Sequence, residues 1–179
     1  MDTTTRYLGL ELANPLIAGA SALTGNRDSI ARLAESGVAA VVTKSLFEEQ
    51  LQLEQFQLDE AVEATSHRHA EMETVFPQGL DVGPGEHFAW LSRVCETVDI
   101  PIIASLNAVT PERWVEYARQ AEQTGVKALE LNFNGGSRQL DRHGEDIERE
   151  QVAVVQSVCA AVALPVSVKM TVFHANPVD

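Results

Sequence analysis

Residues 100–133 read IPIIASLNAVTPERWVEYARQAEQTGVKALELNF, and this stretch decides the fold. It opens with Ile100 to Leu106, a short apolar run of the kind found in strands buried on both faces. Thr110 then stands as a helix cap with Pro111 in the first turn, which predicts a helix from Pro111 to Thr124 stopped by Gly125. A second apolar run, Ala128 to Phe133, follows. A strand, a helix and a strand at this spacing form a crossover unit, whose two strands lie parallel in one sheet.

The alternation extends in both directions. Upstream, residues 15–20 (PLIAGA) read as a buried strand, followed by a helix from about Arg27 to Ser36 ending at Gly37, and then by a strand from Val38 to Thr43. A helix around His87 to Val98 precedes the central unit. Downstream, a long helix from about Glu145 to Ala163 leads into a fifth strand, Val166 to Met170. Ahead of all of these, Thr4 to Tyr7 and Leu10 to Leu12 predict a β-hairpin at about 4–13, turning at Leu8-Gly9.

Five buried parallel strands with crossover helices admit a closed barrel or an open doubly wound sheet. No glycine-rich phosphate fingerprint follows the first strand, and polar residues stand at the ends of several different strands, so the expected fold is α/β of the TIM (β/α)8 barrel type. A complete barrel takes about 250 residues. In this chain of 179, a long insertion at about 47–86 leaves room for five strands. The expectation is therefore one partial barrel over residues 1–179, truncated after about strand five, with strands one and five as open edges that pair with a second copy or another chain.

The chain is 45% hydrophobic and 22% charged, an ordinary globular composition. Thirteen Lys and Arg against 26 Asp and Glu give a net charge of -13, which repels nucleic acid and anionic lipid. No apolar run reaches the roughly 18 to 20 residues of a membrane span, and the N-terminus lacks the apolar stretch of a signal peptide, so a cytoplasmic location is expected. Cys95 and Cys159 fall among apolar residues at helical spacing (Leu91, Val94, Val98; Val152, Val155, Val162) and read as small core residues. The five histidines, His67, His69, His87, His143 and His174, form no metal motif. In the insertion, Glu48, Glu49 and Glu54 read as a solvated helix face.

Chemistry gathers at the strand ends. The chain has three lysines, and two of them, Lys44 and Lys169, terminate apolar strands. In parallel α/β folds the C-terminal strand ends form the ligand face, and a cation there calls for an anionic ligand or a neighbouring carboxylate. Glu130 is placed to be such a carboxylate. Asn107 and Asn132 end the third and fourth strands, where amides can pair with the alternating carbonyl and N–H edge of a flavin or pyrimidine. Gly19, Ala20 and Ser21 after the first strand let a flat ring approach the backbone.

Tyr7-Leu8-Gly9-Leu10 with Asn14-Pro15-Leu16, then Thr43-Lys44-Ser45, Leu131-Asn132 and Val168-Lys169, resemble in order and spacing the dihydroorotate dehydrogenases, FMN-dependent barrels of pyrimidine biosynthesis. Ser45-Leu46-Phe47-Glu48-Glu49-Gln50 and residues 102–107 look most like a divergent dihydroorotate dehydrogenase-like branch. The resemblance implies FMN as cofactor and an oxidoreductase that takes dihydroorotate to orotate. It also implies flavin contacts from Gly19, Ala20, Lys44, Ser45 and Lys169, with Asn107 at the same strand-end ring and Asn132 near both flavin and substrate. In the family's reaction a base takes a proton from C5 of the substrate while hydride leaves C6 for flavin N5.

The sequence departs from the family at the base. Where the family carries Cys or Ser a few residues after the strand-four asparagine, this chain has Gly135, which cannot take a proton; Ser137 serves only if the loop shifts register. The family's asparagine-rich substrate loop is not recognisable in the insertion. Barrel phosphate sites are commonly built after strands seven and eight, beyond the five strands found here. Two other readings therefore stay open: a non-catalytic barrel fragment that needs a partner half, and a lyase in which a strand-end lysine forms a Schiff base.

Overall fold

The computed structural model describes residues 2–49, 84–133 and 143–171. Strands β1 (Thr5–Tyr7) and β2 (Leu10–Leu12) form the expected antiparallel hairpin, and Leu8 and Gly9 at its turn both take positive φ, 51° and 77°. Next come β3 (Ile17–Ala18), a 3-10 turn (Leu23–Gly25), α1 (Arg27–Glu35), β4 (Ala40–Val42) and β5 (Leu46–Phe47). After the insertion, α2 (Pro84–Thr97), β6 (Ile102–Asn107), α3 (Pro111–Glu122), β7 (Ala128–Phe133), α4 (Gly144–Ala161) and β8 (Val166–Met170) alternate regularly.

The main sheet is wholly parallel, in the order β3-β4-β6-β7-β8, and β5 also pairs with β6. Five consecutive strand positions thus make a curled half-barrel of the TIM type. β4 and β5 occupy one position. The first pairs with the start of β6 (Val42 with Ile103) and the second with its end (Leu46 with Leu106), so the strand expected over Val38 to Thr43 is shorter, and after a break at Thr43, Lys44 and Ser45 its position is continued by β5.

Local sequence sets the helix ends as physical chemistry requires. The Thr110 hydroxyl accepts from Arg113 N–H with Pro111 in the first turn, and the Asn26 side chain does the same for Ser29 at α1. Gly125 takes φ +94° just past α3, a conformation that costs glycine little. No helix among the described residues is long and apolar enough to cross a membrane.

Alternation along the strands sorts the side chains. Ile102, Ala104, Leu106, Leu129 and Leu131 face the helices and pack with Ile30, Leu91, Val94, Trp114, Tyr117 and Val158 in the principal core. Each fully buried Leu or Ile there contributes about 1.5–3 kcal/mol. On the other side, Val42, Ile103 and Ala128 meet Leu8, Leu10 and Ile17, while Leu12 packs on Ala39 and Ala40. The hairpin therefore plugs the end at which the strands begin. Towards the opposite end the inner side turns polar: Ser105, Glu130 and Ser167 share one register row, and Asn132 and Lys169 the next.

One core assignment is corrected. Cys95 is half-buried on α2, but Cys159 is exposed on α4, and so is Val152. The buried stripe of α4 runs through Ile147, Val154 and Val158, because the longer apolar series beginning at Ile147 seats the helix on the sheet and rotates Cys159 outwards.

Candidate functional site

The interrupted strand builds the first part of the site. Thr43 N–H still donates to Ile103 O in the sheet, at 2.9 Å, but Lys44 N–H turns away and donates to Thr24 O at 3.1 Å. Thr24 is buried, its hydroxyl accepting from Ser21 N–H at 2.9 Å and donating to Ser21 O at 3.1 Å, so it fixes the turn that follows Gly19 and Ala20. Gly25 lets the Lys44 stem pass. A Cβ there would lie 3.0 Å from Lys44 Cδ and 3.2 Å from its Cβ, tighter than side chains normally pack. Lys44 is exposed, and among the described residues its ammonium has no carboxylate within 4.0 Å.

The second part is a continuous polar chain on the inner side of the half-barrel. Lys169 Nζ lies 3.0 Å from Glu130 Oε1, and the same oxygen accepts from Ser105 Oγ at 2.9 Å. Ser105 Oγ lies 2.7 Å from Ser45 Oγ, which accepts from Asn132 Nδ2 at 2.9 Å. Asn107 Nδ2 donates to Asn132 O at 2.8 Å and ties the ends of β6 and β7 together. Ser45, Ser105 and Asn132 are buried, so these bonds form where an unmade partner costs most.

The structure thus brings together Ser45, Asn107, Asn132 and Lys169 of the predicted ring-binding set, and places Lys44 on the neighbouring strand break. Gly19 and Ala20 lie at the end of β3. Among the described residues, none beyond its chain neighbours stands within 4 Å of a Cβ built on Gly19, which leaves room there for a flat group. Ser137 and Gly135, the candidate and family positions for the base, lie outside the described residues. The two lysines answer the pairing question differently: Lys169 is paired with Glu130, whereas Lys44 is not paired among the described residues.

Two features are new relative to the sequence reading. Ser105 joins the chain because Ile103, Ser105 and Asn107 share the inner face of β6, a period-two signal present in the sequence. Glu48 overturns its expectation: it is 4% exposed rather than solvated. Its Oε2 accepts from Val109 N–H at 2.7 Å and its Oε1 lies 3.7 Å from Arg113 Nε, so it anchors the loop that carries Asn107 into α3. Burial, with Glu48 nearby, pushes the Tyr117 hydroxyl above its ordinary pKa. Glu49 is exposed as expected, and Glu54 lies outside the described residues.

An open groove along the hairpin, lined by Thr4, Thr5, Arg6, Glu11, Leu12 and Ala13, sits at the opposite end of the sheet. Its charged pair, Arg6 and Glu11 at 2.9 Å, is mutually satisfied. The chemistry lies at the carboxyl ends of the strands.

A parallel half-barrel with polar groups converging on the carboxyl ends of its strands defines the class: a truncated fold of the β/α-barrel type. Solved structures agree on the fold. A dihydrodipicolinate synthase superposes with a TM-score of 0.53 at 15% identity, covering 87% of this chain and 46% of that one. Another, from Agrobacterium tumefaciens, gives 0.51 at 16% identity, covering 86% and 43%.

Sequence similarity is narrower. The catalytic subunit of dihydroorotate dehydrogenase B (NAD(+)) from Methanocella arvoryzae is 30% identical over 176 residues, 96% of this chain and 54% of the relative. The subunit of the same name from Thermoplasma volcanium is 29% identical over 142 residues, 74% of this chain and 42% of the relative. No protein-family model matches the chain. The chain is similar in sequence to dihydroorotate dehydrogenases and spans 54% and 42% of the length of these two.

Proposed function

We propose that this chain carries the ring-binding part of an FMN-dependent oxidoreductase of the dihydroorotate dehydrogenase type, acting on dihydroorotate or a related small molecule. The observation that carries the proposal is the polar chain from Lys169 through Glu130, Ser105 and Ser45 to Asn132, beside Lys44, which is unpaired among the described residues, in a chain similar in sequence to those enzymes. The donor set fits the cofactor: two cations, the buried Asn132 amide, the half-buried Asn107 amide and, among the described residues, open space at Gly19 suit a flat ring edged with carbonyl and N–H groups.

Bound FMN supplies a two-electron acceptor for substrate oxidation. Lys169 and Lys44 contribute positive charge where negative charge develops on a reduced ring. The Asn132 side-chain amide donates to Ser45, which orients it before a ligand arrives, and the Asn132 main-chain carbonyl accepts from Asn107. Ser45 has its hydroxyl committed to this network and is not a free proton acceptor; Ser137 remains the sequence-based candidate for the base. For the Schiff-base reading, Lys169 is occupied with a carboxylate at 3.0 Å, whereas Lys44 is not paired among the described residues, so only Lys44 is left as a nucleophile.

The test is spectroscopic. Purified protein is incubated with FMN, desalted and scanned in the visible range, and Kd is then measured by flavin fluorescence. Retained flavin bands are expected, with Lys44→Ala weakening affinity at least tenfold. An unchanged titration in that variant, or a colourless wild type, overturns the proposal.

A further inference from the structure

The polar chain has a direction. A carboxylate only accepts hydrogen bonds, and Glu130 Oε1 accepts from both Lys169 Nζ at 3.0 Å and Ser105 Oγ at 2.9 Å. A serine hydroxyl carries one proton. Ser105 gives its proton to Glu130, so it meets Ser45 Oγ, at 2.7 Å, as the acceptor. Ser45 in turn has no proton left and can only accept from Asn132. The amide nitrogen Nδ2 must then face Ser45, at 2.9 Å, and the carbonyl Oδ1 must face away from it. Ser105 is fully buried, Asn132 is 3% exposed and Ser45 8%, so solvent does not offer these groups substitute partners.

We infer that Glu130 is a positioning residue that, through Ser105 and Ser45, fixes which end of the Asn132 amide is presented to a ligand, offering a carbonyl that complements a ring N–H. Glu130 lies one inward-facing row below Asn132 and is linked to it through Ser105 of β6 and Ser45 of the break between β4 and β5. Replacing the carboxylate by a carboxamide removes the direction. Gln at 130 can donate to Ser105 through its nitrogen, which lets the whole chain run backwards and turns the Asn132 nitrogen towards the ligand. The ligand's identity rests on the proposed function; the direction of the chain does not.

The experiment is NMR on the full 15N-labelled chain without ligand, following the Asn132 side-chain amide, assigned by its absence in Asn132→Asp. In the wild type one of its two protons exchanges slowly with solvent. Both Glu130→Gln and Ser105→Ala are expected to accelerate that exchange at least tenfold while the backbone spectrum is retained. Ser105→Ala leaves the Lys169–Glu130 pair in place, so it separates the relay from a general loosening and decides alone if Glu130→Gln does not fold. Unchanged exchange in Ser105→Ala overturns the inference. FMN is then added to the same samples: a wild type with a protected Asn132 amide that takes up no FMN refutes the flavin reading and leaves the relay standing.

Discussion

His87 predicts a stability loss in mild acid that one substitution removes. It sits in the first turn of α2, with its ring centroid 5.7 Å from Phe88 in an edge contact and 5.4 Å from Trp90. Its Nε2 is buried and has no hydrogen-bond partner among the described residues. Burial penalises the charged imidazolium and lowers the pKa from 6.5 to about 4. The folded state therefore favours the neutral ring, and between pH 6.5 and 4 the unfolded chain binds more protons. Stability from this group is fully present above the unfolded pKa and is lost as pH falls towards the folded one. A gap of this size corresponds to about 3 kcal/mol, most of it lost by pH 4.5. Urea unfolding of the wild type and of His87→Phe, which keeps an aromatic ring in place, measures it from pH 7.5 to 4.5. The wild type is expected to lose about 2 to 3 kcal/mol more than the variant over that range. Parallel pH curves for the two proteins refute the reasoning.

Two further substitutions probe the frame of the site. Glu48→Ala removes a buried carboxylate that accepts a backbone N–H at 2.7 Å, leaves Val109 N–H without that acceptor and should cost about 2–4 kcal/mol in chemical denaturation; a cost under about 0.5 kcal/mol, the scale of an ordinary surface change, contradicts the burial seen here. Gly25→Val places a branched side chain against the Lys44 stem, so FMN affinity measured by fluorescence titration should fall several-fold, with Gly25→Val giving no additional loss once Lys44→Ala is present. Additive losses in that double variant show that Gly25 does not act through Lys44.

Most of the fold was legible in the sequence because the signals are local. The spacing of apolar runs, the Thr110-Pro111 cap and the glycines past the helix ends all report on neighbours a few residues away, and β7, β8 and the hairpin lie within a residue or so of their expected bounds. Helix α4 shows where such signals become ambiguous. Two interleaved apolar series fit its sequence equally well at helical spacing, and only packing on the sheet selected Ile147, Val154 and Val158 over Val152 and Cys159. Glu48 shows the same limit for charge: a glutamate in an acidic stretch reads as solvated until the backbone N–H of Val109, 61 positions away, is brought to it.

By itself the sequence determined which residue types stand at the carboxyl ends of the parallel strands, because strand length and alternation decide that without knowledge of the partners. Lys44, Asn107, Asn132 and Lys169 were placed in this way, and the resemblance to the dihydroorotate dehydrogenases rests on the same positions. Only the tertiary structure decided what those groups do to one another. The register of β6, β7 and β8 puts Ser105 beside Glu130 and Asn132 beside Lys169, and the break between β4 and β5 delivers Ser45 into the same network. Hydrogen bonds act over about 3 Å, whereas the residues that make these lie 25 to 87 positions apart along the chain, so no local pattern encodes the link or its direction.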